Sequence, residues 1–229
     1  MDRERALLEE RKELVDGLSH EMKTPISIIR AYAEGLEDTE DAEKRGDYTR
    51  MIITETERMT DLITALLDLS ALESGAADLA LETFDLAEMV ETVAGRLLVD
   101  VPDADFELVL DLPDEPISVR SDRFRMEQVL GNLMSNAKNH VKAGGIVRLK
   151  LEDSGDTARF SVFNQGARIP AEDLDRVWDR FYRGRTKAAG GSGLGLSIVA
   201  QVLSMQNIPY HASNQRGGVL FDFEIPVVR

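Results

Sequence analysis

The chain has 229 residues, 43% of them hydrophobic, which is enough for one large domain or two small ones with a packed core. Its 42 acidic against 27 basic residues leave a net charge of -15, which excludes the clustered basic surface that a nucleic-acid partner needs. With no cysteine, the sequence has neither disulfides nor thiolate metal sites, a composition that fits a reducing compartment.

The first element is a helix from residue 2 to about 37. Leu8, Val15, Met22, Ile29 and Leu36 recur every seven residues, a heptad register. With Val15 and Met22 at position a, His20 falls at f, the position farthest from the seam, so the imidazole is expected in solvent on a rigid rod. Glu21 adjoins it, and Thr24 lies one turn later. Pro25 removes the hydrogen bond its N–H would have given to the Glu21 carbonyl, so a bend is expected beside the imidazole. A zinc motif of the HExxH type is excluded, because position 24 is Thr.

The polar stretch EDTEDAEKRGD reads as a turn. A second helical series then steps by fours and threes through Tyr48, Ile52, Glu55, Met59, Leu62, Leu66 and Leu69, and stops near Ser74 and Gly75. One antiparallel hairpin cannot cover an apolar stripe this wide, so a homodimer forming a four-helix bundle is expected. The first domain is therefore placed at 1–75 and the second at 76–229, with the linker at 75–78.

Beyond the linker, short β-rich runs alternate with helical stretches at roughly 85–99, 121–141, 171–178 and 194–206. The runs LALETF, DFELVLDL, ISVRS, GIVRLKLE, ARFSVFN, IPYHAS and GVLFDFEIP tend to be grouped. This predicts an α+β fold, a mixed or antiparallel sheet covered by helices on one face.

In SDRFRMEQVLGNLMSNAKNHV, Met126, Leu130, Leu133, Ala137 and Val141 form the apolar stripe. Asn132, Asn136 and Asn139 form a second stripe about a third of a turn away. Asparagine is a weak helix former, so amides repeated there suggest use, and an amide oxygen can ligate Mg²⁺ beside phosphate. In VFNQGARIP, Asn164 ends a strand and Gly166 permits a tight turn. An amide there can present donor and acceptor to an adenine edge. In RFYRGRTKAAGGSGLGLSIV, basic residues precede glycines at 190, 191, 193 and 195 and the start of a helix near Leu194. Backbone N–H groups and the positive helix end then face an anion. The dinucleotide fingerprint is rejected, because no buried strand precedes the glycines, and no Walker A motif occurs.

Together these stretches resemble a bacterial two-component sensor histidine kinase over essentially the whole chain. HEMKTP is similar to the phosphoacceptor box, NLMSN to the Asn box, NQGARI to the first Gly box, RFYR to the Phe box and GSGLGL to the second Gly box. The resemblance implies a dimerisation and phosphotransfer bundle followed by a two-layer ATP-binding α/β sandwich of the gyrase/Hsp90 type. It implies that His20 is phosphorylated, that Glu21 is its acid–base neighbour, and that Thr24 serves phosphatase activity toward a response regulator. It also implies that Asn136 holds Mg²⁺ and Asn132 contacts phosphate. ATP would further be bound through Asn164, Gly166, Ile169, Phe181, Arg183, Gly191, Gly193, Leu194, Gly195 and Leu196. The implied partners are a second copy and a receiver domain, with an upstream sensor or membrane segment absent from this chain and the chain itself in the cytoplasm. Similarity to the vancomycin-resistance kinases is a finer expectation.

The sequence departs from the family at three points. Asn164 stands where the first Gly box usually has Asp, Arg168 replaces its second glycine, and Asn139 replaces a common lysine. Two rival readings stay open. A gyrase/Hsp90-like ATPase would place a Glu base four residues before Asn136, where Asn132 stands. A non-catalytic dimeric scaffold would draw support from the altered first Gly box.

Overall fold

The first helix of this computed structural model, α1, spans Asp2–Asp38, and the second, α2, spans Ala42–Glu73. The structure describes residues 2–73, 79–99, 105–184 and 193–229, with the side chains of 2–11, 13 and 97–99 left outside. The turn is far shorter than the polar stretch suggested. Asp41 accepts from the N–H of Glu43 at 3.0 Å, so α2 starts at Ala42, ahead of Tyr48. The Arg45 guanidinium reaches back to the carbonyls of Leu36 at 2.6 Å and Thr39 at 3.1 Å, satisfying the end of α1. Gly35 has no side chain where the Tyr48 ring passes, since a Cβ there would lie 2.9 Å from it. The Tyr32 and Tyr48 rings meet at a tilt of 55°, with centroids 5.2 Å apart. α1 continues as helix through Pro25, which is buried.

The chain divides into two compact units, 1–68 and 69–229. In the first unit large apolar side chains remain open to solvent: Val15 is 58% exposed, Ile26 51%, Ile53 49% and Leu67 66%. No helix among the described residues is long and apolar enough to cross a membrane.

The second unit contains β1 (Leu81–Asp85), α3 (Leu86–Val99), β2 (Phe106–Asp111), β3 (Ser118–Asp122), α4 (Arg123–His140), β4 (Gly145–Asp153) and β5 (Thr157–Gln165). Then come α5 (Gly195–Met205), β6 (Tyr210–Gln215) and β7 (Gly218–Pro226). The main sheet has the order β2-β4-β5-β7-β6, with β2 and β4 parallel and the other pairs antiparallel. β1 and β3 form a separate antiparallel pair. This is the mixed sheet that the grouped runs predict. Period-two alternation puts Val147, Leu149, Phe160, Val162, Phe221 and Phe223 into one core with Met126, Leu130 and Leu133 of α4 and Val199 and Val202 of α5.

The expected helix at 171–178 is instead two short 3-10 turns, Ala171–Asp173 and Arg176–Trp178. Pro170 opens the segment, and i→i+3 bonds close each turn, Asp173 N–H to Pro170 O and Asp179 N–H to Arg176 O. The tight turns deliver Trp178 edge-on to Tyr210 and Phe221, with centroids at 4.8 and 5.6 Å.

Candidate functional site

In the first unit, His20 and Thr24 are exposed on α1 and Glu21 is half-buried, as the heptad position predicts for the imidazole. The Ser19 and Ser27 hydroxyls donate back to the carbonyls of Val15 and Lys23.

In the second unit the site begins with the cap of α4. Asp122 accepts from the Arg125 N–H and the Ala80 N–H, each at 3.0 Å. Gln206, just past α5, accepts from Ser121 Oγ at 2.6 Å and from the Asp122 N–H at 3.2 Å. With Met126, Val129, Leu130, Leu133 and Ala137 buried, the helix is fixed about its axis. Asn132, Asn136 and Asn139 are left half-buried along its edge. α5 meets that edge at its first residue, because a Cβ on Gly195 would lie 2.9 Å from Asn132 Oδ1. The first-turn N–H groups of α5 lack helical acceptors and carry the positive helix end to Asn132.

The far wall is the end of β5. Asn164 is 1% exposed, and neither its Oδ1 nor its Nδ2 finds a hydrogen-bond partner. Gly166 follows, and a Cβ there would lie 2.3 Å from the His140 carbonyl and 3.3 Å from Asn164 Nδ2. The β5 terminus is stitched to the end of α4 by Lys142 N–H to Gln165 O at 2.8 Å, and to the β6–β7 turn by Gly166 N–H to Gly217 O at 3.1 Å. Desolvation lowers the pKa of His140 in this same corner.

Phe181 takes a left-handed backbone, φ 57, opposite Gly193 at φ 70, and the Phe181 N–H donates to Gly193 O at 2.9 Å. A Cβ on Gly193 would lie 2.8 Å from Phe181 Cα, so only glycine fits. The structure thus gathers Asn132, Gly195, Leu194 and Leu196 at one end of α5, with Asn136 on the facing edge of α4. Asn164 and Gly166 sit together at the end of β5. Arg183 is exposed, and Gly191 lies outside the described residues.

Asn214 of β6 accepts from the Ile169 N–H at 3.0 Å and donates to the Ile169 carbonyl at 2.7 Å, clamping the loop after Gly166. The two positions are 45 residues apart and form no motif, so only the fold reveals the pair. Asn214→Ala should strand both backbone groups, destabilise the chain by about 1–3 kcal/mol and weaken nucleotide binding. Urea unfolding and calorimetry check the two effects.

A buried amide with both atoms unpaired, a glycine-lined approach and an N-terminal helix turn together fit a purine nucleotide. Residues 121–229 match the family described as Histidine kinase-, DNA gyrase B-, and HSP90-like ATPase, and residues 10–75 match the His Kinase A (phospho-acceptor) domain. The chain belongs to the sensor histidine kinases. Sensor histidine kinase WalK of Bacillus subtilis is 31% identical over 95% of this kinase chain, which spans 37% of WalK. Probable sensor histidine kinase TcrY of Mycobacterium tuberculosis is 33% identical over 94% of the chain, which spans 46% of TcrY. The kinase chain thus covers less than half the length of either relative. The structure of histidine kinase ThkA in complex with response regulator protein TrrA matches with TM-score 0.80 and 25% identity, over 98% of this chain and 64% of that one. The matched pair joins a phospho-acceptor domain to an ATPase-type domain that implies ATP binding.

Proposed function

We propose that the chain phosphorylates itself on His20 from ATP and passes the phosphoryl group to an aspartate of a response regulator. The observation that carries the nucleotide half is the unpaired, buried amide of Asn164 beside Gly166. The exposed imidazole of His20 on a helix of the phospho-acceptor domain supports the other half. The domain boundary belongs to this reading, with 1–75 for phosphotransfer and 76–229 for nucleotide binding.

The chemistry follows from the groups present. A neutral imidazole nitrogen carries a free lone pair. A P–N bond forms there as the bond from the γ-phosphorus to the ADP oxygen breaks, in line. Glu21 holds the proton on the other ring nitrogen and stabilises the cation that develops. Asn164 and Gly166 seat the base, Ile169 belongs to the same loop, and Asn132 with the first turn of α5 meets the phosphates. Phe181, Arg183, Gly191, Gly193, Leu194, Gly195 and Leu196 complete the nucleotide contacts. Asn136 would hold Mg²⁺, whose charge offsets that of the phosphate oxygens when bound. The half-buried Asn136 offers a neutral, hard amide oxygen that can share the ion with phosphate oxygens.

A second copy is the proposed partner of the hairpin, because Val15, Ile26, Ile53 and Leu67 are too exposed to be left to water. Thr24, exposed near His20, is assigned to hydrolysis of the regulator's phosphoaspartate. The gyrase-like ATPase alternative lacks its base, since Asn132 cannot accept a proton from water.

The test is incubation with γ-labelled ATP and Mg²⁺. Label should appear on the protein and survive alkali but not acid, as a P–N bond does, and peptide mapping should place it at His20. Release of free phosphate with no labelled protein would favour the ATPase, and failure to bind ATP would favour the scaffold.

A further inference from the structure

We infer that Asn164 makes the base pocket accept 6-oxopurine nucleotides as well as adenine nucleotides. The inference rests on the nucleotide reading above and concerns which base the same pocket tolerates.

The main chain of Asn164 is fixed. It lies between Val147 of β4 and Val219 of β7 in the sheet register. A Cβ on Gly218 would lie 2.0 Å from the Asn164 carbonyl oxygen, so β7 lies tight against this backbone. The side chain differs, because Oδ1 and Nδ2 are both buried and neither has a partner. Buried amides are normally hydrogen-bonded, so two open valences on one group point to a ligand that supplies a donor and an acceptor side by side.

Purine edges do this in two mirrored ways. Adenine offers an amino donor at C6 and a lone pair at N1, which suit Oδ1 and Nδ2 respectively. Hypoxanthine and guanine offer a carbonyl acceptor at C6 and an N–H at N1, which suit the same two atoms after the amide turns over. The last torsion of asparagine is broad and nearly two-fold, so that turn is inexpensive. A carboxylate in this place could only accept. It would pair with the adenine amino group and oppose the 6-oxo oxygen, discriminating by the negative element it presents. Substituting an amide for the carboxylate removes that discrimination.

The test uses the full chain with Mg²⁺ and non-hydrolysable analogues of ATP and inosine triphosphate, read by calorimetry. The parent should bind the two within about fivefold of each other, while in Asn164→Asp the ratio of the two affinities should move in favour of adenine to roughly fiftyfold, whatever the absolute affinity of the variant. A parent that binds the ATP analogue yet rejects the inosine analogue by that same factor overturns the inference and leaves the nucleotide reading standing. So does an Asn164→Asp chain with an unchanged ratio. Binding of neither nucleotide overturns the nucleotide reading itself, and this inference with it. The parent's ratio decides the question even if the variant does not fold.

Discussion

Replacing His20 by glutamine should lower incorporation of label from γ-labelled ATP by roughly four orders of magnitude or more, to background, because the attacking nitrogen is gone. The side chain is exposed and packs into no core, so stability should move by less than about 0.5 kcal/mol. Nucleotide affinity should also be unchanged, since the base and phosphate contacts are assigned to residues of the other unit. Three measurements on one variant therefore separate loss of the nucleophile from loss of fold or pocket. Label persisting on the glutamine variant, or mapping to another side chain, would sink the assignment.

Gly166→Ala should produce the opposite pattern. The added carbon would meet the His140 carbonyl at 2.3 Å, a backbone atom at the end of α4 that cannot step aside alone. Relief requires the β5 terminus to part from α4, which strains the Lys142–Gln165 hydrogen bond and displaces Asn164. Overpacking of this kind costs about 1–3 kcal/mol. Nucleotide affinity should fall by at least roughly tenfold, the equivalent of about 1.4 kcal/mol. Gly131→Ala is the matched control. It lies within α4, a Cβ there meets nothing within 4 Å, and alanine should stabilise the helix by about 0.5–1 kcal/mol. Thermal unfolding and ATP calorimetry on both variants test the contrast.

Much of this architecture was readable before the fold was known, for identifiable reasons. The seven-residue spacing in α1 reports a face, and a face is what places His20 in solvent. The strands announce themselves by alternation and grouping, and the runs GIVRLKLE and ARFSVFN do pair, as β4 with β5. The errors arose where local chemistry outweighed composition. Residues 37–47 looked like one long turn because they are polar, but Asp41 caps a helix there and Arg45 ties off the one before it. Residues 171–178 looked helical, but Pro170 and the pull of Trp178 toward the sheet tighten them into 3-10 turns. The motifs single out Asn132, Asn136 and Asn164 but not the partners that hold the segments around them in place. Asn214 and Gln206 act across 45 and 85 residues of sequence, a distance over which no spacing rule operates. The expected likeness to vancomycin-resistance kinases gains no support from the relatives named above.

The clamp on Ile169 has a consequence for how the pocket breathes. Asn214 stands on β6, an outermost strand bonded on one side only, where local opening is least costly. When that strand frays, both bonds to Ile169 go with it and the loop after Gly166 loosens. Amide-exchange protection along Tyr210–Gln215 therefore becomes a gauge of pocket integrity, and a bound nucleotide, by holding the loop, would slow exchange at the rim of the sheet.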